Sequence, residues 1–104
     1  MAQFDVYENT NPDTQKIVPY LLDVQANLLE DLATHVVVPL VPVSVMGKAA
    51  QHLNPVFKIQ KTQVVMSTAE LAGVPVRILG EKVTSLQDHR NEIIAALDFL
   101  FTGY

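Results

Sequence analysis

Side chains able to do acid–base, metal or nucleophilic chemistry are few in this sequence and are not grouped. The three histidines, His35, His52 and His89, occur at none of the i, i+2 or i, i+4 spacings that bring two imidazoles onto one metal ion. There is no cysteine, which excludes disulfides, thiol nucleophiles and thiolate ligands and suits a reducing compartment. Asp23 and Asp31 are the nearest approach to a carboxylate pair, yet Asp23 closes an apolar run and reads better as a turn former. His89 beside Arg90 reads as a solvated face at a helix start. Cleaving RNA would need a cation for the charged transition state, an acid or base, and a groove that attracts phosphates. Arg77 and Arg90 are the only guanidiniums, and the net charge is −4. The residues predict no catalytic, cofactor or metal site.

What stands out is apolar. Ile93-Ile94-Ala95-Ala96-Leu97-Asp98-Phe99-Leu100-Phe101-Thr102-Gly103-Tyr104 carries a strongly apolar helical pattern to the last residue of the sequence. Chain ends are usually polar and loosely held. Burying one large apolar side chain is worth about 1.5–3 kcal/mol, so this segment is expected to dock on its own core, a second copy or another protein. Phe99 and Leu100 read as core or dimer packing, Phe101 as either core or contact, and Gly103-Tyr104 as contact. Leu28 and Leu29 sit between polar residues; two adjacent aliphatics rarely both point inward, so one is expected to face a partner.

The elements that must carry these residues follow from periodicity and punctuation. Phe4 and Val6 alternate with Asp5 and Tyr7 as a first strand, and Asn9–Asp13 is a turn. Further strands are predicted at Ile17–Val24, Val36–Leu40 and Val74–Leu79, with a hairpin of 55–59 and 63–67 across Gln60-Lys61-Thr62. Pro42–Leu53 reads as loop with a short helical turn, and Thr68–Ala72 as one helical turn ended by Gly73. Pro19, Pro39 and Pro75 beside strand patterns mark edges or bulges, as in a strongly bent small barrel. The one long helix comes last: Ser85-Leu86-Gln87-Asp88 resembles a capping box, Leu86, Ile93, Leu97 and Leu100 recur near a 3.6 period, and Gly103 fits a left-handed cap.

The 104 residues are expected to form one domain, residues 1–104. Seven Lys and Arg scattered singly argue against direct nucleic-acid binding. No apolar run reaches membrane-spanning length and the first twenty residues lack a signal-peptide core, so a soluble cytoplasmic protein is expected. Apolar residues make up 49% and charged ones 17%, a balance that favours a subunit interface.

Several segments, in order and at matching spacing, resemble the CcdB family of toxins from toxin–antitoxin modules. They are Gln3–Tyr7, Leu22-Asp23-Val24-Gln25-Ala26-Asn27-Leu28-Leu29, Val37-Val38-Pro39-Leu40, Leu53–Val56, Met66-Ser67-Thr68, Val74–Val83, His89-Arg90 and the helix ending at Gly103. The resemblance implies a mainly β fold: an SH3-like small barrel of the CcdB/MazF type with an extra small sheet and one C-terminal helix, working as a homodimer. It implies a plasmid-maintenance or chromosomal toxin that binds the DNA gyrase A subunit, traps the cleaved complex and is neutralised by a CcdA-like antitoxin, with no chemistry or cofactor of its own. The pair would also repress its own operon, the antitoxin supplying the DNA contact. By position, the gyrase-facing residues are Leu28, Leu29, Asp98, Phe101, Thr102, Gly103 and Tyr104. Where the family pattern has Trp before the terminal Gly, this chain has Thr102. That departure motivates a second reading, an eroded homologue that binds antitoxin without poisoning gyrase. A MazF-like mRNA endoribonuclease is the third.

Overall fold

The computed structural model describes residues 2–47, 50 and 52–103. Seven strands precede the long helix: β1 (Asp5–Asn9), β2 (Tyr20–Asp23), β3 (Thr34–Pro42), β4 (Val56–Ile59), β5 (Thr62–Met66), β6 (Ala72–Pro75) and β7 (Leu79–Ser85). A short helix α1 (Val43–Met46) follows β3, and α2 (Arg90–Thr102) closes the described chain. The strands form one antiparallel sheet in the order β4-β5-β3-β2-β1-β7, with β6 added to β3. The sheet curls into a half-barrel. Its smaller strand set is joined to the barrel through β3 instead of standing apart.

β3 explains the curl. Its first half pairs with β6 through Thr34–Val37 and its last three residues pair with β5. Pro39 lies between these partners, where a missing N–H interrupts neither ladder, and its carbonyl accepts the Ser67 amide at 2.9 Å. Pro19 precedes β2, and Pro42 and Pro75 end β3 and β6, so each proline marks an edge or a bend as its chemistry requires. The β4–β5 hairpin turns through Gln60-Lys61, with Gln60 at φ +57°, the positive value that a twisted two-residue hairpin demands.

Three sequence expectations are corrected. The strand expected over Ile17–Val24 begins only at Tyr20. Residues before it form a helical turn in which the Thr14 carbonyl accepts the amides of Ile17 and Val18, and Ile17 is exposed. Buried Asn9 holds that turn, its amide nitrogen donating to Thr14 Oγ1 (2.9 Å) and the Val18 carbonyl (2.8 Å). The strand expected over Val74–Leu79 is two strands. Pro75 ends β6, Val76–Ile78 make a 3₁₀ turn, and β7 then runs back along β1 through a Gly80-Glu81-Lys82 stretch whose polarity hid it. Gly73, expected to end a helical turn, is a β6 residue paired with Val36.

The first strand also starts one residue late. Phe4 takes φ +71° and is buried, its amide donating to the Asp23 carbonyl at 2.6 Å and its carbonyl accepting the Leu86 amide at 2.8 Å. It therefore ties the end of β2 to the approach of α2. The capping box does not form: Ser85 Oγ accepts from the Gln87 amide at 3.2 Å, and a 3₁₀ turn over Gln87–His89 leads into α2. The core joins Phe4, Val6, Leu22, Leu40, Ile59 and Met66 of the sheet to Leu86, Ile93 and Ala96. The helix therefore buries a line centred on Ile93 and Ala96, flanked by Ile94 and Leu97, while Leu100 is half-buried.

One buried polar group sets an alkaline limit. Tyr7 is only 6% exposed, and its hydroxyl donates to Asp5 Oδ2 at 3.3 Å. Burial first, then the charge and hydrogen bond of Asp5, push its pKa up to about 12 from 10.0. The unfolded chain releases this proton near pH 10 and the folded chain only near 12. Stability is therefore lost as pH rises across that window, by about 1.4 kcal/mol per unit. Urea unfolding at pH 10, 10.5 and 11 should show this loss in the native chain and lack it in Tyr7→Phe.

Candidate functional site

Two separate segments carry the sequence-predicted residues, and of the described ones only Leu29 and Phe101 meet in one groove. Leu28 and Leu29 lie on a 3₁₀ turn (Asn27–Leu29) between β2 and β3, and Asp98, Phe101 and Thr102 lie on the last turns of α2. Leu29 and Phe101 line one groove of about 310 Å³, together with Val24, Ala26, Val36 and Leu97. Its walls come from the turn, the middle strand and the helix.

Exposure in this region is unusual for such apolar side chains. Leu28 is 94% exposed, Phe101 70% and Leu29 47%. Leu29 leans into the groove and Leu28 stands outside it, so the pair divides between lining and projecting. Phe101 is a surface residue of the protomer and is not part of its core. Phe99 and Leu100 are half-buried; Phe99 lines a second cleft of about 510 Å³ with His52, Pro55, Glu92 and Ala95 on another face of the helix.

The helix end is shaped by its last residues. Gly103 takes φ +80°, and its amide donates to the Phe99 carbonyl at 2.9 Å, the left-handed cap expected of a glycine there. The Thr102 hydroxyl donates back to the Asp98 carbonyl at 2.6 Å. Asp98, Thr102 and Gly103 are exposed. Tyr104 lies outside the described residues.

Acidic side chains lie on the segments that supply the groove's turn and helix walls. Glu30, Asp31 and Asp98 are exposed, while residues 17–47 and 91–104 contain no Lys or Arg. The arrangement presents aliphatic and aromatic anchors on segments that also carry exposed carboxylates, chemistry suited to a basic protein surface.

Asp23 and Asp31 do not pair. Asp31 is exposed, whereas Asp23 is 1% exposed and its Oδ2 lies 2.9 Å from Nδ1 of His35, itself 1% exposed. Asp23 Oδ1 accepts the Gln25 amide at 2.9 Å, so the carboxylate also shapes a turn. The sequence showed no reason to pair Asp23 with His35, because they face one another only across β2 and β3. His89 is exposed and meets Glu92 Oε1 at 3.0 Å. Among the described residues, no three of His, Asp and Glu gather as they would around a metal ion, and no helix is long and apolar enough to cross a membrane.

The groove-lining Val24, Ala26, Val36, Leu71 and Leu97 were not foreseen as site residues. Only the fold brings them to one place, and each taken alone reads as core.

Among the described residues the chain is a curled antiparallel half-barrel backed by one long helix. This fold is shared with an endoribonuclease solved in complex with its cognate antitoxin from a mycobacterial species. That chain is 15% identical, with 97% of this chain and 94% of that chain covered and a TM-score of 0.74, a likeness of fold. The family model for CcdB protein matches residues 3–103. The chain belongs to the CcdB family, and so to the toxins of toxin–antitoxin modules.

Proposed function

We propose that this chain is a homodimeric gyrase poison. It binds the gyrase A subunit through Leu28, Leu29, Asp98, Phe101, Thr102, Gly103 and Tyr104, traps the DNA cleavage complex in the cytoplasm and is neutralised by a CcdA-like antitoxin. The observation that carries the reading is the convergence of Leu29 and Phe101 on one groove, with exposed Leu28 alongside. An apolar cluster held open to solvent in an otherwise well-packed domain is what a protein-binding hot spot needs. A two-fold partner would meet every anchor twice. Dimerisation is assigned to the helix face bearing Phe99, where an apolar cleft lies open. An antitoxin partner is supported by the fold neighbour, which was solved with its own.

The test is calorimetric binding of the gyrase A subunit to native protein and to Leu28→Asp. Because Leu28 is almost fully exposed, the substitution should change stability by no more than about 0.5 kcal/mol. It should weaken gyrase binding at least about tenfold, or about 1.4 kcal/mol. Unchanged binding would remove the turn from the interface.

The back-bonded Thr102 hydroxyl favours a second reading. That position presents a small side chain turned onto its own helix, with no aromatic face for stacking. An eroded homologue would still bind antitoxin, as co-repressor or antitoxin sponge, while failing to trap gyrase. Tight antitoxin binding with no gyrase binding would select it. RNA cleavage by the purified chain would select the endoribonuclease reading instead.

A further inference from the structure

We propose that Asp23, Gln25 and His35 are positioning residues that hold the Leu28–Leu29 turn in its binding shape by grasping two of its carbonyl oxygens. The inference rests on the gyrase-binding reading for its functional consequence, and on geometry alone for the positioning.

The turn has little to hold itself. Its 3₁₀ segment is three residues long, has no side-chain cap and buries none of its residues. Its amides are satisfied locally: Leu29 to the Ala26 carbonyl (2.9 Å), Glu30 to Asn27 (3.1 Å) and Leu32 to Leu29 (3.2 Å). Such short-range bonds, exposed to water and backed by no apolar burial, open at little cost.

Side chains from beneath supply the rest. Gln25 Nε2 donates to the Leu29 carbonyl at 2.8 Å, while Gln25 Oε1 accepts the Val36 amide of β3 at 3.0 Å. His35 Nε2 lies 2.9 Å from the Glu30 carbonyl, and its Nδ1 lies 2.9 Å from Asp23 Oδ2. Asp23 Oδ1 in turn accepts the Gln25 amide at 2.9 Å, so the two braces are linked. On the outer side, Asn27 Oδ1 accepts the Gln3 amide at 2.6 Å. The consecutive carbonyls that follow Leu28 are thus both tied to the sheet.

A carbonyl only accepts, so Nε2 carries a proton. Its Nδ1 bonds Asp23 Oδ2, so His35 bridges the carboxyl group and the turn whichever of the pair carries the shared proton. Burying such a pair brings a desolvation penalty that an apolar pair would avoid, and its geometric yield is the fixed Glu30 carbonyl. The same reasoning identifies a conservative replacement. Asn at position 23 would donate to Nδ1 of a neutral His35 and still accept from Gln25, keeping every bond while removing the charge.

The experiment measures amide hydrogen exchange at Leu29, Glu30 and Leu32, with Val64 and Met66 of β5 as folding controls, beside binding of the gyrase A subunit. His35→Phe and Gln25→Leu should raise exchange at the turn at least about tenfold relative to β5 and weaken gyrase binding by a similar factor. Asp23→Asn should leave both within about twofold. If His35→Phe accelerates exchange at β5 equally, it has unfolded, and Gln25→Leu, which leaves no buried charge, decides. Native exchange at the turn in Gln25→Leu would overturn the proposal. A loosened turn with undiminished gyrase binding would support the positioning and overturn the assignment of this turn to gyrase.

Discussion

Phe101→Ala should weaken binding of the gyrase A subunit about 100-fold, and removal of residues 102–104 should abolish trapping of cleaved DNA. Phe101 is a 70%-exposed aromatic at the rim of the groove, so it contributes little to folding. Central aromatic anchors of protein interfaces lose about 2–4 kcal/mol on truncation to Ala, and 2.7 kcal/mol corresponds to that factor. The deletion takes away the Gly103 cap on the Phe99 carbonyl, at a cost of about 1 kcal/mol to the helix end. The rest of α2 stays docked through Ile93 and Ala96, both fully buried. Both variants should therefore unfold in urea within about 1 kcal/mol of the native chain and still bind antitoxin. A deletion that dissolves the dimer would mark this segment as structural.

Ile93→Ala should have the largest effect on stability, about 3–4 kcal/mol. Ile93 is 0% exposed at the centre of the contact between α2 and the sheet, among Leu22, Leu40, Ile59 and Met66 of the same core. Truncating a fully buried aliphatic removes its transfer free energy and leaves a cavity that a rigid half-barrel cannot close. In a domain of this size the loss lowers Tm by more than about 10 °C. Because α2 carries Asp98, Phe101 and Thr102, partial undocking would also disperse the groove. Thermal and urea unfolding check the first part, and a change under 1 kcal/mol would show that the helix is held elsewhere.

The barrel was legible in the sequence wherever local pattern and tertiary demand agreed. Phe57, Ile59, Val64 and Met66 mark the hairpin expected over 55–59 and 63–67, although its turn is Gln60-Lys61 and Thr62 already belongs to β5, and proline placement correctly marked bends and strand ends. Gly103 was readable because one backbone conformation is needed there and glycine adopts it most easily. The failures came where tertiary contacts overrode pattern. Ile17 looks like a strand residue, but Asn9 reaches across to hold residues 14–18 in a turn. β7 pairs with β1 through a bulged register, so Gly80-Glu81-Lys82 shows no clean alternation. At the site, Leu28, Leu29 and Phe101 could be named in advance by resemblance, and the structure places Leu29 and Phe101 on one groove. The His35–Asp23 pair was not readable, since the partners stand twelve positions apart and only sheet registration makes them neighbours.

A helix end and an adjacent turn together are proposed to make a gyrase-binding surface. The most direct measurement is a DNA supercoiling and cleavage assay with purified gyrase, ATP and plasmid, comparing the full chain with the version lacking residues 102–104. Linear DNA should accumulate with the full chain alone. Absence of linear DNA with a folded full-length protein would contradict this proposal and select the antitoxin-binding homologue.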